Sequence, residues 1–287
     1  MNIVIMDKKD AFVRVENKTL RIDDQKIPLH LIDTLILNSF ITLSASQIIK
    51  IAKADVTILF LSSNGVDSAV VTSTRTKSAE LKSSQYKASV KDDLKIAKNL
   101  LSKKITTHAH HLKVHDIQIQ YKEALEKIKE AKKLETLLGI EGSFSKLYFT
   151  EYFSLVPKNM HKGRRTKRPP LDPANALLSF FYSLFYNLIT IRLLSFGFEP
   201  SIGFLHKPFR SHNALSSDIL ELFRADVNEF VLNIIKEKKI QKSDFTKRNG
   251  VYLRYEGRKK LWSDYKELSH KLIRKIDLEL ADIRSLL

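Results

Sequence analysis

The spacing of apolar residues changes once along the chain, close to residue 74. Before that point, short runs of β-branched and apolar residues alternate with turn residues, a pattern typical of β-strands. We predict strands at 3–6, 12–15, 20–22, 34–37, 56–61 and 69–72, and a short helix at 45–53. Asn64-Gly65 is a strong signal for a two-residue hairpin turn between the last two strands.

After residue 74, apolar residues recur every three or four positions, which is the period of an amphipathic helix. The stretch 77–134 contains neither Gly nor Pro but is too long for one ordinary helix, so a break is expected at 106–110. The segment 139–142 interrupts the pattern next. Further helices are predicted at 143–155, 173–196, 215–236 and 259–284, with Asp172 as the cap of the second.

These patterns predict an α+β protein, with a small β-rich N-terminal domain at 1–74 and a larger α-helical domain at 75–287. No charged residue lies between Asp172 and Arg192, so this stretch is nearly long enough to cross a bilayer. Polar residues recur every four positions within it, which favours a buried central helix over a membrane span. The polar stripe consists of Asn175, Ser179, Ser183 and Asn187.

Charge is distributed unevenly between the two parts. Residues 1–74 contain equal numbers of basic and acidic residues, so the whole net charge of +17 lies in 75–287. Such a charge favours binding to polyanions such as DNA, RNA or an anionic membrane. The chain has no cysteine, which excludes disulfides, thiolate zinc sites and cysteine nucleophiles. Its N-terminus resembles the first strand of a cytoplasmic protein more than a signal peptide.

A basic loop is predicted just before the helix at 173–196. Residues 158–168 include six basic residues and no acid, and Gly163 and the Pro169-Pro170 pair mark the segment as a loop. It is either a solvated surface loop or a contact for nucleic-acid phosphates, and the net charge favours the second. The candidate DNA-binding residues are Lys162, Arg164, Arg165, Lys167 and Arg168.

Four residues are candidates for phosphodiester chemistry. Asp218 and Glu221 lie three positions apart, on one face of a predicted helix, where they form either a cation site or an exposed acidic surface. Glu141 is flanked by glycines at a helix boundary, where capping is the alternative, and His206 lies in a loop, where a structural role is the alternative. Together they offer oxygen-rich ligation with one imidazole, which suits Mg²⁺ or Mn²⁺.

A separate group of histidines lies within 108–115. His111 and His115 have the spacing of two metal ligands on one helix face, but Leu112 stands where a zinc protease of this pattern has glutamate. We interpret the group as a helix surface or a hinge, and a metal site as the less favoured alternative.

Four motifs occur in an order and spacing that resemble the CRISPR-associated spacer integrase, the catalytic subunit of the CRISPR adaptation complex. The resemblance spans nearly the full length. The motifs are Gly139-Ile140-Glu141-Gly142, the arginine-rich loop running into Pro169-Pro170-Leu171-Asp172-Pro173, Gly203-Phe204-Leu205-His206, and Ser217-Asp218-Ile219-Leu220-Glu221.

The resemblance implies that Glu141, His206 and Glu221 bind a divalent metal with Asp218 beside them, although many members have aspartate at the position of Glu221. Whether His206 is a ligand or a proton carrier stays open. It also implies a homodimer formed by the N-terminal domain, a small companion subunit, and double-stranded and branched DNA as partners. A DNA 3′-hydroxyl would join short duplexes to a CRISPR repeat by transesterification, with nicking or the reverse reaction on branched DNA. The alternatives are a metal-dependent, structure-specific DNA repair nuclease and a non-catalytic nucleic-acid-binding scaffold.

Overall fold

In a computed structural model, the protein is described at residues 3–8, 11–62, 68–73, 78–90, 94–207 and 212–287. The chain divides into two compact units. The first comprises residues 1–76 and 254–274, and the second comprises 77–253 and 275–287. The first unit therefore takes in a C-terminal segment that the hydrophobic pattern placed in the helical part.

The first unit contains two β-sheets. Its strands are β1 (Ile3–Met6), β2 (Val13–Glu16), β3 (Thr19–Ile22), β4 (Gln25–Pro28), β5 (Thr34–Asn38), β6 (Thr57–Leu61) and β7 (Ser68–Val71). The larger sheet has the order β1-β5-β6-β7, in which β1, β5 and β6 are parallel and β7 is antiparallel to β6. The smaller sheet is the antiparallel meander β2-β3-β4. Helix α1 spans Ala45–Lys53.

The hydrophobic pattern explains these strands. In β2, Val13 and Val15 are buried while Arg14 between them is exposed, so one face of the strand joins the core. All residues of β5 are buried, as expected for a central parallel strand that is covered on both faces. All six predicted strands and α1 are confirmed. The strand β4 was not predicted because its first two residues are polar, and Asn64-Gly65 lies outside the described residues.

The second unit is mainly helical. Its helices are α2 (Ala79–Val90), α3 (Lys95–Val114), α4 (Lys122–Glu130), α5 (Leu134–Leu155), α6 (Pro173–Phe196) and α7 (Ala214–Lys236). A short hairpin of β8 (Phe245–Lys247) and β9 (Val251–Leu253) follows in this unit. Helix α8 (Tyr255–Lys259) and the first half of the long α9 (Trp262–Ser285) belong to the first unit, and the rest of α9 belongs to the second. The predicted α+β class is confirmed, but the hairpin means that the helical part is not entirely α.

Helix α6 is the central helix of the second unit and packs against α7. Among the described residues, it alone is long and apolar enough to cross a membrane, but 72% of its most apolar window is buried inside the protein. This agrees with the predicted buried helix. Asp172 caps it as expected, because its Oδ1 accepts a hydrogen bond of 2.8 Å from the backbone N–H of Asn175.

Two predicted interruptions of helices are wrong. Helix α3 runs without a break through 106–110, because Leu101, Ile105 and Leu112 continue one buried face along it. Gly139 and Gly142 lie inside α5 and do not end it. Both glycines are exposed, and the opposite face of the helix packs against the core. The glycines therefore destabilise α5 only through their low intrinsic helix propensity.

Candidate functional site

The predicted acids meet around a lysine that the sequence patterns did not single out. Glu141 projects from the middle of α5, not from a helix boundary as expected, and Glu221 projects from α7. Between them lies the ammonium group of Lys104 from α3, which forms ion pairs with Glu141 and, at 2.7 Å, with Glu221. The Lys104 side chain is only 1% exposed. We call Lys104, Glu141 and Glu221 the acid cluster.

Positive charges keep both carboxyl groups of the acid cluster ionised. Burial by itself raises the pKa of Glu221, but Arg224 and Lys104 outweigh burial and lower it to about 2. Arg224 forms a 2.9 Å ion pair with Glu221 from one turn further along α7. Burial also opposes ionisation of Glu141, and Lys104 again lowers its pKa below the usual value. The cluster is therefore arranged to hold positive charge between two helices.

His206 is oriented by Asp218. The side chain of Asp218 is fully buried and accepts three backbone hydrogen bonds, from Phe204 at 2.6 Å, Leu205 at 3.0 Å and His206 at 2.9 Å. Its Oδ1 also lies 2.7 Å from Nδ1 of His206. Because a carboxylate only accepts hydrogen bonds, Nδ1 carries the proton and donates it, which leaves Nε2 available to a ligand.

The loop that carries His206 packs tightly against the start of α7. A Cβ atom added to Gly203 would lie 2.6 Å from the carbonyl oxygen of His206 and 2.9 Å from Ala214. Such distances require the backbone to move, so glycine is needed here for close approach. Residues 208–211, between His206 and α7, lie outside the described residues.

His206 is within electrostatic reach of the acid cluster. Burial by itself lowers the pKa of His206, but the carboxylates of Asp218, Glu221 and Glu141 reverse this effect and raise it. Within the described part of the chain, however, only one group of three ligand side chains has all its donor atoms within 4.8 Å of one another, and it is a different group. Glu141, Glu221 and His206 therefore lie close enough to interact electrostatically, but their donor atoms are not all within 4.8 Å of one another.

The basic loop is fixed at its base by Asp172 and Asn175, both buried. Asp172 accepts a hydrogen bond from the backbone of Lys162, and the Asn175 side chain donates to the carbonyl of Arg164 and accepts from the backbone of Thr166. Of the five candidate DNA-binding residues, four are exposed: Lys162, Arg164, Lys167 and Arg168. A fixed backbone with outward cations is suited to binding phosphates.

Arg165 differs from the other four candidates. Its guanidinium group points into the protein and donates to the side chains of Asn175 at 2.9 Å and Ser179 at 3.1 Å. It also lies over the ring of Tyr182, 5.5 Å from the centroid. These contacts use the guanidinium to attach the loop to α6, so the structure corrects the expectation that Arg165 is a free phosphate-binding arm.

Lys167 brings the basic loop near the acid cluster. Desolvation and the charge of Arg224 lower its pKa, while Glu221 and Glu141 oppose that shift. A phosphate bound at Lys167 would therefore lie within the field of the acids.

Of the histidines of α3, His110 lies on the helix surface as expected, but His108 and His111 are buried, and α3 has no hinge there. His108 and His111 are 2% and 7% exposed. Nε2 of His111 and Nε2 of His115 lie 3.0 Å and 2.6 Å from one carboxylate oxygen of Glu229, on α7. These three residues are the closed group mentioned above, and we call them the histidine cluster. The local sequence pattern indicated His111 and His115 but not Glu229, which lies more than 100 positions away along the chain.

A network of buried polar side chains connects the two clusters. The Tyr148 hydroxyl lies 3.0 Å from Nδ1 of His111 and accepts a 2.8 Å hydrogen bond from Asn228. Asn228 in turn accepts a hydrogen bond from the hydroxyl of Tyr182. The guanidinium group of Arg224 lies over the Tyr182 ring and forms an ion pair with Glu221 of the acid cluster. The tyrosines are core residues that fix the positions of α3, α5 and α7 relative to one another.

Comparison with known proteins places this site in a family. The sequence profile described as CRISPR associated protein Cas1 matches residues 4–267. The chain is 30% identical over 289 residues to the CRISPR-associated endonuclease Cas1 1 of Thermodesulfovibrio yellowstonii, covering 93% of this chain and 91% of that protein.

Solved structures share the fold. A Cas1 protein from Thermotoga maritima matches with a TM-score of 0.89 and 23% identity, over 99% of this chain and 96% of that one. A casposase bound to integration product matches with a TM-score of 0.81 and 22% identity, over 93% of this chain and 82% of that one. These findings confirm the resemblance drawn from the four motifs: the chain belongs to the CRISPR associated protein Cas1 family.

Proposed function

We propose that this protein is a divalent-metal-dependent DNA integrase and endonuclease of CRISPR spacer acquisition. In this proposal Glu141, Glu221 and His206 hold the metal, Asp218 orients His206, and the basic loop binds the DNA backbone. The observation that carries it is the meeting of Glu141 and Glu221, from two helices, around one buried cation. Family membership and the description of a relative as an endonuclease support the activity.

The residues fit a hard divalent cation. Lys104 already places a positive charge between the two carboxylates, so its ammonium group acts as a stand-in for a metal ion. The Oε2 atom of Glu221 is buried and lies 2.7 Å from the ammonium group of Lys104. Two carboxylates and one imidazole are donors that Mg²⁺ and Mn²⁺ accept, and we propose one of these two ions.

Each residue of the site has a distinct task in the proposed reaction. A bound divalent cation would polarise a phosphate oxygen and lower the pKa of the attacking hydroxyl. Glu141 and Glu221 supply carboxylates that are already ionised, and Asp218 holds the His206 ring with Nε2 available as a ligand or proton carrier. No covalent protein intermediate is needed, which agrees with a chain that lacks cysteine.

The basic loop would place the DNA strand next to these groups. Lys162, Arg164, Lys167 and Arg168 supply the exposed charges, and Arg165 keeps the loop attached to α6. The description of one structural neighbour as bound to integration product supports double-stranded and branched DNA as substrates. A homodimer formed by the N-terminal domain at 1–74, a small companion subunit and a cytoplasmic location complete the proposal. The family resemblance implies the homodimer and the companion subunit.

The decisive experiment is strand transfer of a labelled short DNA duplex into a plasmid that contains a CRISPR repeat, with Mg²⁺ or Mn²⁺. Wild type should join the strands, and Glu141→Ala should reduce joining by about 1000-fold, since losing a metal ligand removes roughly 4 kcal/mol of transition-state stabilisation. Glu135→Ala is the matched control, because Glu135 is an exposed glutamate on the same helix.

The products separate the alternatives. Free ends without joined strands, lost in Glu141→Ala, would indicate a DNA repair nuclease that uses the same residues. Equal activity of wild type and Glu141→Ala would contradict a catalytic acid cluster and leave a nucleic-acid-binding scaffold.

A further inference from the structure

We propose that His111 of α3 and His115 at its C-cap, together with Glu229 of α7, bind a first-row transition-metal dication of the Zn²⁺ class that clamps the two helices together. This histidine cluster is a second site, separate from the acid cluster. Glu221 and Glu229 are eight positions apart on α7, which corresponds to about 12 Å along the helix.

The three donor atoms already converge. His111 lies in the last turn of α3 and His115 is the C-cap residue four positions later, and their ring centroids are 5.4 Å apart. Their Nε2 atoms lie 3.0 Å and 2.6 Å from the same oxygen of Glu229, and all three donor atoms lie within 4.8 Å of one another. An ion at the centre would replace these two hydrogen bonds after small movements of the side chains.

The kinds of donor select the metal. Two imidazole nitrogens and one carboxylate oxygen are typical ligands of Zn²⁺ and of Co²⁺, whereas Mg²⁺ prefers oxygen donors throughout. The Glu229 side chain is 35% exposed, so water can reach the cluster and supply a fourth ligand. The acid cluster, with two carboxylates, has the opposite preference.

Neighbouring groups hold the ligands in place. The other ring nitrogen of His111 lies 3.0 Å from the hydroxyl of Tyr148, which Asn228 fixes with a hydrogen bond. The second oxygen of Glu229 accepts a 3.1 Å hydrogen bond from Asn233. Such contacts fix the orientation of a metal-bound imidazole and carboxylate, so ordering the ligands costs little when the ion binds.

The clamp has a structural role. Helices α3 and α7 carry Lys104 and Glu221 of the acid cluster as well as the three residues of the histidine cluster. An ion that bridges the helices binds only the folded protein and therefore stabilises it by mass action. The ion would hold the two helices at the distance that the acid cluster requires, without contacting DNA.

The test uses the full chain without a histidine tag, after treatment with a chelator. Co²⁺ is titrated and followed by its visible d–d absorption, and Zn²⁺ is then added to displace it. Wild type should bind about one Co²⁺ at this site, lose the absorption to Zn²⁺ and gain thermal stability with Zn²⁺. His115→Gln and Glu229→Gln should each weaken binding by about tenfold or more.

Two variants serve as controls. His110→Gln removes an exposed histidine next to the cluster and should bind Co²⁺ like wild type. Glu141→Ala should also keep the Co²⁺ absorption, which separates this site from the acid cluster. The proposal is overturned if wild type binds no Co²⁺, or if His115→Gln and Glu229→Gln bind it as tightly as His110→Gln does. The three side chains would then form only the hydrogen bonds between histidine and glutamate.

Discussion

The acid cluster and the histidine cluster lie along the same pair of helices but handle charge in different ways. At the acid cluster, Lys104 and Arg224 balance the charges of Glu141 and Glu221, so an incoming metal ion has to compete with a buried ammonium group. At the histidine cluster, one carboxylate faces two imidazoles, and burial lowers the pKa of His111, which keeps it uncharged at neutral pH. An ion there replaces only hydrogen bonds.

Metal affinity in this protein therefore depends on which groups already occupy each site. We expect transition metals to bind the free protein at the histidine cluster more readily than Mg²⁺ or Mn²⁺ binds at the acid cluster. A site that must exchange an ion pair for a metal gains from additional negative charge, such as a DNA phosphate held at the basic loop.

The largest effect is expected from Lys104→Met. Removing one partner of a buried ion pair leaves Glu141 and Glu221 without their shared cation, which should lower the free energy of unfolding by about 3 kcal/mol without metal. Added Mn²⁺ should then raise the melting temperature more than it does for wild type, because the ammonium no longer competes. Lys103→Met is the matched control, since Lys103 forms a partly exposed ion pair with Glu279. If Mn²⁺ raised the melting temperatures of wild type and Lys104→Met equally, the ammonium group of Lys104 would not compete with the metal ion.

Asp218→Asn should affect the acid cluster and spare the histidine cluster. The amide cannot accept all the hydrogen bonds that hold the 203–206 loop and His206, so we expect strand transfer to slow by about 10- to 100-fold. Co²⁺ absorption at the histidine cluster should be unchanged. Asp226→Asn, which changes a partly exposed aspartate eight positions further along α7, is the control. Loss of both strand transfer and Co²⁺ absorption in Asp218→Asn would mean that the two clusters are not independent.

His108, which lies on α3 between the two clusters, should make stability depend on pH. Burial lowers its pKa from 6.5 to about 3, so the folded protein keeps it neutral while the unfolded chain takes up a proton. Its contribution to stability is therefore complete above pH 6.5 and falls as the pH decreases toward 3, by at most about 1.4 kcal/mol per pH unit.

The measurement is chemical unfolding between pH 7.5 and about 5. His108→Asn keeps a donor near the carbonyl oxygen of Lys104 but cannot be protonated, so its stability should fall less over this interval than that of wild type. His110→Gln should follow wild type. Parallel curves of unfolding free energy against pH for His108→Asn and wild type would contradict this prediction. They would show that His108 takes up its proton in the folded protein as readily as in the unfolded chain.

The smallest effect is expected from Arg164→Ala. This variant tests whether DNA contacts the basic loop next to the acid cluster and leaves the histidine cluster free. Losing one phosphate contact should reduce the slope of log affinity for DNA against log salt by about one. His115→Gln should leave the slope unchanged. Arg165→Ala should instead lower stability by about 1–3 kcal/mol, since its buried hydrogen bonds are lost. An unchanged slope in Arg164→Ala would exclude this residue from the DNA contact.

The sequence predicted much of the first unit because its signals are local. Alternation of buried and exposed residues locates β2 and β3, and Ser44 caps α1 with a capping box that nearby residues alone form. Asp172 and Pro173 likewise marked the start of α6 correctly. In contrast, the helix boundary predicted from Gly139 and Gly142 is wrong, because tertiary packing on the opposite face of α5 outweighs their low helix propensity.

The order of residues along the chain was enough to predict the α+β class, the buried central helix and the concentration of positive charge after residue 74. The candidate metal-binding acids came from the family resemblance and stay a prediction. Only the tertiary structure decided that Lys104 lies between Glu141 and Glu221, that Arg165 points inward, and that Glu229 completes a group with His111 and His115. The reason is physical: strand and helix periods depend on neighbouring residues. Ion pairs and ligand groups depend instead on which side chains of distant helices face one another, and no local pattern records that.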